Sequence, residues 1–234
     1  MKTQATIDKL RQSSPQLSVG ILTADMMNLG SEVRLLENAG VELLHIDVMD
    51  GNIWPNVTVG ASFLGGLKTK MLKDVHLLID KPEKHIESFA KAGADILVFS
   101  VEYCDDVSWA LKKVSQMENV NDPQRGILRG VSLNPDTPVD IIKPVIDNVD
   151  VVVLLAVGPD TGKQNFIADL PDKIADIKNI KKDVLIFVDG AIKKDNLALV
   201  AAMDPDVIVT GSAVFDGKDP AGNLKFMMET IKNV

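Results

Sequence analysis

Short apolar runs alternate with amphipathic stretches along almost the whole chain. The runs are LSVGIL (17–22), VELLHID (41–47), DVHLLI (74–79), ADILVFS (94–100), GILRGVSL (126–133), VDVVVLLAV (149–157), VLIFVD (184–189) and DVIVTG (206–211). Most are rich in Val, Ile and Leu without strict alternation, the pattern of parallel strands covered on both faces. Between them, apolar residues recur at helical spacing. NLGSEVRLLENAG (28–40) sets Leu29, Val33 and Leu36 on one side and ends on Gly40, suited to a helix C-terminus. KPEKHIESFAKAGAD (81–95) has Pro82 near a helix start, Ile86 and Phe89 inward, and Gly93 as a stop. Further helices are predicted in DVSWALKKVSQM (106–117), TPVDIIKPVID (137–147), NFIADLPDKIADIKN (165–179), KKDNLALVAAMD (193–204) and PAGNLKFMMETIKNV (220–234). ASFLGGLKTKML (61–72) is less regular, interrupted by two glycines.

Eight such alternations without a compositional break predict an α/β chain folded as one (β/α)8 TIM barrel over residues 17–234. Residues 1–16 are polar and are expected to form a short helix or arm, an N-terminal extension outside the main fold. A doubly wound open sheet is the alternative. It would carry a G-x-G-x-x-G turn after its first strand, and none is present.

Composition narrows the picture. A chain of 234 residues with 46% hydrophobic and 25% charged residues builds a large core. Its net charge of −8 argues against non-specific binding to nucleic acid or an anionic membrane, without forbidding a local positive pocket. Cys104 is the single cysteine, so a disulfide within the chain and a Cys-based zinc site are excluded. No run is long enough to span a membrane, and the N-terminus lacks a signal-peptide apolar core; the simplest reading is cytoplasmic.

The chemistry concentrates at predicted strand ends. His45 and Asp47 lie two residues apart, so both side chains project to one face of the second strand. His76 falls late in the third strand and Asp189 closes the seventh. In a barrel all four face the C-terminal end, where active sites lie. Each alone would also suit a hydrogen-bonded lining histidine or a turn cap; together they form a donor set for one divalent ion, Zn, Mn or Fe, with positions left for substrate oxygens. Such an ion would polarise a carbonyl and hold a developing enediolate, with the carboxylates as acid and base on opposite faces of a substrate carbon. Asp189-Gly190 and Gly211-Ser212 close strands seven and eight, the usual place for phosphate in a barrel. GPDTGKQNF (158–166), after strand six, reads as a lid or substrate loop carrying Gly158, Asp160, Gly162 and Lys163, or as an ordinary connection. Glu102 points to the same end as a supporting carboxylate or an exposed one, Asn134-Pro135 reads as a turn, and His85, in a charged helix, as solvated.

The order and spacing of HIDVMDG (45–51) with Pro55-Asn56, DVHLLI, SLNPDTP (132–138), VDGAI (188–192) and TGSAVF (210–215) resemble the ribulose-phosphate 3-epimerases from Leu17 to Phe215. The resemblance implies a barrel with one divalent metal held by His45, Asp47, His76 and Asp189. It also implies epimerisation at C3 of a ketose phosphate: one of Asp47 and Asp189 removes the C3 proton and the other reprotonates the opposite face. Phosphate would sit near Gly190, Ala191, Gly211 and Ser212. Barrels of this family commonly assemble, which implies a homo-oligomer. The chain departs from the family's usual residues at Gly20 (serine), Asn52 (histidine), Leu78 (methionine), Ser100 (histidine) and Ala191 (glycine), and across 155–164. The substrate implied is therefore a pentulose or hexulose phosphate. Two competitors stand beside this reading. Hexulose-phosphate synthase and decarboxylase barrels carry Asp-x-Lys-x-x-Asp in strand two, where this chain has Met49 in the lysine position. A non-catalytic sugar-phosphate-binding paralogue would not need all four metal ligands.

Overall fold

The computed structural model of the chain describes residues 2–159 and 168–234. All the predicted apolar runs form strands: β1 (Gln16–Gly20), β2 (Leu43–Met49), β3 (Leu72–Leu78), β4 (Ile96–Ser100), β5 (Leu128–Leu133), β6 (Val151–Leu155), β7 (Leu185–Asp189) and β8 (Val207–Thr210). They pair in chain order, and β8 returns to β1 to close the barrel. Every pairing is parallel. The predicted (β/α)8 barrel is the observed fold.

The connecting helices are α2 (Leu29–Asn38), α3 (Ala61–Gly66), α4 (Ile86–Lys91), α5 (Val107–Gln116), α6 (Leu170–Ile180), α7 (Leu197–Ala201) and α8 (Pro220–Lys232), preceded by an N-terminal α1 (Gln4–Gln12). Gly40 (φ 83°) and Gly93 (φ 98°) end α2 and α4 in the left-handed region, as their positions predict. The segment 137–147 corrects its prediction. It forms two 3-10 turns, Val139–Ile142 and Ile146–Asn148, and no α-helix. Pro144 lies between them; it has no N–H to donate and its ring clashes with a preceding carbonyl.

Side chains alternate across each strand and divide the core in two. Leu44, Ile46 and Val48 face outward into the large cluster under the helices. Leu43, Leu72, Ile96, Val98, Leu128, Val151, Leu185, Phe187 and Val207 fill the lower barrel. Gly130 provides room there, since a Cβ at that position would lie 2.6 Å from Val98 Cγ2.

The N-terminal segment, expected outside the main fold, contributes to this inner cluster. Ile7 and Leu10 of α1 are buried among the lower barrel residues, and Gln16 Nε2 donates to Leu10 O at 2.9 Å. Helix α1 therefore plugs the barrel floor. Two buried aliphatic side chains of this kind contribute about 1.5–3 kcal/mol each. The floor is thus closed largely by apolar side chains, and His45, Asp47, His76 and Asp189 lie toward the opposite, C-terminal end.

Candidate active site

Register builds the polar cluster. In the β2–β3 pair, His45 lies beside Asp74 and Asp47 beside His76. These residues all face into the barrel, two residues apart on each strand. Asp189, at the end of β7, reaches the same spot from the far side of β8 and β1. One ligand atom from each of His45, Asp47, His76 and Asp189 lies within 4.8 Å of the others.

His45 is buried and bridged on both sides. Its Nδ1–H donates to Asp74 Oδ2 at 2.7 Å, and the same oxygen accepts from Ser18 Oγ at 2.8 Å. Its Nε2 lies 3.0 Å from Asp47 Oδ1 and 3.7 Å from Asp189 Oδ2. Burial alone would lower the pKa of His45, but the charges of Asp47 and Asp74 outweigh it and raise the pKa well above the ordinary imidazole value. His76 is wholly buried. Its Nδ1 lies 3.4 Å from Asp189 Oδ2 and 3.6 Å from Asp47 Oδ1, and neither ring nitrogen makes a hydrogen bond. Burial again acts downward, and Asp189 and Asp47 raise its pKa. Burial pushes the pKa of Asp47 up, yet the two imidazoles win and hold it well below the usual carboxylate range.

This donor set fits a divalent cation. A buried imidazole without a hydrogen-bond partner is costly. A cation between the carboxylates and the imidazoles would give one ring nitrogen of His76 a partner and bind His45 through Nε2. Asp74 would keep the proton on Nδ1 and fix the ring. Nitrogen and carboxylate donors of this kind suit first-row ions.

The cluster opens into a pocket of about 260 Å³. Gly190, Ala191, Gly211 and Ser212 line it, with Asp47, Asp189 and His45. Gly190 and Ala191 take consecutive positive φ values of 106° and 53°. Glycine is required at 190, where a Cβ would lie 2.6 Å from Val157 Cγ2. At 211 a Cβ would lie 2.8 Å from Gly20 O, so β1 and β8 approach closely at the pocket wall. Ala191 adopts the left-handed region at a cost of about 1–2 kcal/mol, and Asn196 Nδ2 holds its carbonyl at 3.1 Å.

The ribulose-phosphate 3-epimerase family model matches residues 16–215. The chain belongs to the ribulose-phosphate 3-epimerase family. It is thus an enzyme of the carbohydrate epimerase class. It is 38% identical to the ribulose-phosphate 3-epimerase of Bacillus subtilis, covering 87% of this chain and 94% of that protein. It is 36% identical to the chloroplastic ribulose-5-phosphate-3-epimerase of Arabidopsis thaliana, over 96% of this chain and 80% of that one. Among solved structures, KGPDC from Streptococcus mutans superposes with a TM-score of 0.68 at 17% identity, covering 94% of this chain and 98% of that one. That likeness shows the shared barrel.

Several residues of this epimerase's site are not evident from its sequence motifs. Asp74 bonds His45 directly, and Ser18 in turn donates to Asp74; period-two spacing before His76 is the available signal for Asp74. Trp54 lines the pocket. Met49 lines it too, where synthase and decarboxylase barrels carry lysine. Glu102 does not line it. It accepts from Asn134 N at 2.7 Å and from Thr137 Oγ1, and so braces the turn after β5. His85 is exposed. Among the departures, Gly20 and Leu78 line the pocket, whereas Ser100 is buried against Ser132 Oγ at 3.1 Å. Asn52 bonds back to Asp50. Of the expected lid residues, Gly158 is described; Asp160, Gly162 and Lys163 lie outside the described residues. No helix among the described residues is long and apolar enough to cross a membrane.

Proposed function

We propose that this epimerase inverts C3 of a ketose phosphate, interconverting ribulose 5-phosphate and xylulose 5-phosphate by proton transfer between two aspartates. The observation that carries the reading is the convergence of Asp47 and Asp189, from separate strands, on one pocket with two buried imidazoles. The relatives' activity, named for ribulose phosphate, supports the substrate class.

His45, Asp47, His76 and Asp189 would hold one divalent ion, Zn, Mn or Fe. When bound, it supplies Lewis-acid polarisation of the substrate carbonyl and charge stabilisation for the enediolate. Asp47, held ionised by its imidazole neighbours, removes the C3 proton. The electron pair passes into the C2 carbonyl. Asp189 delivers a proton to C3 from the opposite face. Each turnover puts one proton on Asp47 and takes one from Asp189, so the two exchange acid and base roles for the reverse reaction. The apolar floor beneath the pocket excludes water from the lower barrel. Gly190, Ala191, Gly211 and Ser212 would hold the phosphate away from the reacting carbon.

The test is metal-replete protein with ribulose 5-phosphate in D₂O, followed by proton NMR. Loss of the C3 proton signal with appearance of xylulose 5-phosphate is expected. Absence of exchange with ribulose 5-phosphate and with a panel of other pentulose and hexulose phosphates would overturn the reading.

A further inference from the structure

A phosphate dianion gains from a nearby cationic side chain, and the described residues lining the pocket include no lysine or arginine to supply one. Asp47 and Asp189 are among them. The chain as a whole carries −8. Helix termini offer little compensation at this end. Helix α7 has five residues and starts beyond the β7 loop. The segment after β8 makes a single turn, with Val214 N and Phe215 N both donating to Gly211 O, and α8 begins only at Pro220.

Lys193 lies two residues beyond Ala191 in the β7 loop, and its Nζ donates to Ser212 Oγ in the β8 loop. The ammonium thus bridges the two loops that carry Gly190, Ala191, Gly211 and Ser212. Its base is anchored, because Lys193 N donates to Asn196 Oδ1 at 2.8 Å. Among the described residues, the contact of Nζ is with a neutral hydroxyl, and it has no carboxylate within ion-pair distance. Its neighbour Lys194 is committed elsewhere, to Asn223 Oδ1 and over the Phe226 ring at 5.7 Å.

We propose that Lys193 supplies the positive charge that recognises the substrate's phosphate group, and so sets the preference for a phosphorylated over a free ketose. The inference rests on the phosphate site assigned above. A lysine hydrogen-bonded to a neutral serine gives up little when a phosphate oxygen replaces or joins that hydroxyl. The gain is a charge-assisted contact, the stronger kind of hydrogen bond.

The experiment compares the metal-loaded wild-type chain with Lys193→Gln and Lys193→Arg. Glutamine keeps a donor for Ser212 and removes the charge; arginine restores it. Steady-state kinetics on ribulose 5-phosphate and on free ribulose are read alongside calorimetric binding of inorganic phosphate. For Lys193→Gln, KM for ribulose 5-phosphate should rise far more than kcat falls. The ratio of kcat/KM for the phosphorylated over the free sugar should drop about 10- to 100-fold, the range of a hydrogen bond to a charged group. Inorganic phosphate should bind more weakly, with a difference that shrinks as salt rises, and Lys193→Arg should recover most of the loss. Equal losses on both sugars, or unchanged phosphate binding in Lys193→Gln, would overturn the proposal. Failure of the epimerase reading is separately visible: the wild type would turn over no ketose phosphate, while the phosphate titrations would still report on Lys193.

Discussion

Asp74 offers the sharpest test of the proposed metal site. It is wholly buried, and its Oδ2 accepts both His45 Nδ1–H at 2.7 Å and Ser18 Oγ–H at 2.8 Å. Its other oxygen has no partner. Asp74→Asn can present an amide oxygen to the same two donors, so geometry is retained while the negative charge behind His45 is lost. Loss of a carboxylate partner behind a metal-ligating histidine lowers metal affinity about 10- to 100-fold, or about 1.4–2.8 kcal/mol at 1.4 kcal/mol per factor of ten. Asp74→Ala removes the acceptor as well and leaves His45 Nδ1–H and Ser18 Oγ–H buried without it, at about 1–3 kcal/mol for each. The assay is competition with a chelator of known affinity for zinc, paired with thermal unfolding of metal-stripped and metal-loaded protein. The expected result is an asparagine variant that folds when metal-stripped and binds zinc about tenfold or more weakly. An asparagine variant with wild-type zinc affinity would refute the role assigned to Asp74. So would a loss of stability equal in the stripped and loaded forms, since that is what a purely structural carboxylate would give.

Three further outcomes follow from the geometry. Asp189→Asn, at saturating metal, should abolish solvent exchange at C3 while substrate binding measured by calorimetry persists; continued exchange in D₂O would sink the two-aspartate mechanism. His45 and His76 have pKa values raised above the ordinary one, so in metal-stripped protein their stabilisation is complete below about pH 6.5 and is lost as pH rises through the raised values. Melting temperature of the stripped protein should therefore fall with rising pH on the alkaline side. Metal affinity should run the other way, because ligation needs neutral imidazoles, and calorimetry in two buffers should show proton release; uptake without released protons would contradict the raised values. Leu10→Ala should destabilise the fold by about 2–5 kcal/mol, read by urea unfolding, because Leu10 is fully buried in the barrel floor; a change under about 1 kcal/mol would show that α1 is not a structural plug.

The strands are legible in the sequence because their signal is local. Continuous Val, Ile and Leu runs separated by helical patterns leave few alternatives to a parallel sheet, and eight repeats favour closure. Period-two spacing likewise puts His45 and Asp47 on one face from their positions in the chain alone. Local pattern fails where one residue or one distant surface decides the outcome. Pro144 interrupts an otherwise helical stretch and leaves 3-10 turns. Ile7 and Leu10 look like stray apolar residues in a polar segment until the barrel provides an apolar floor to receive them.

The sequence by itself determined the elements, their parallel arrangement and the donor types available for a metal. Its short-range spacing also set which side chains share a strand face. Only the tertiary structure decided which faces meet. Barrel closure brings Asp189 to His45, Asp47 and His76, all far earlier in the chain, and the β2–β3 register sets Asp74 directly beside His45. Closure also brings Lys193 to Ser212 across two loops. The physical reason is that side-chain alternation is fixed by backbone geometry within a few residues. Register and closure are collective, and are selected by burial and hydrogen bonding over the whole barrel.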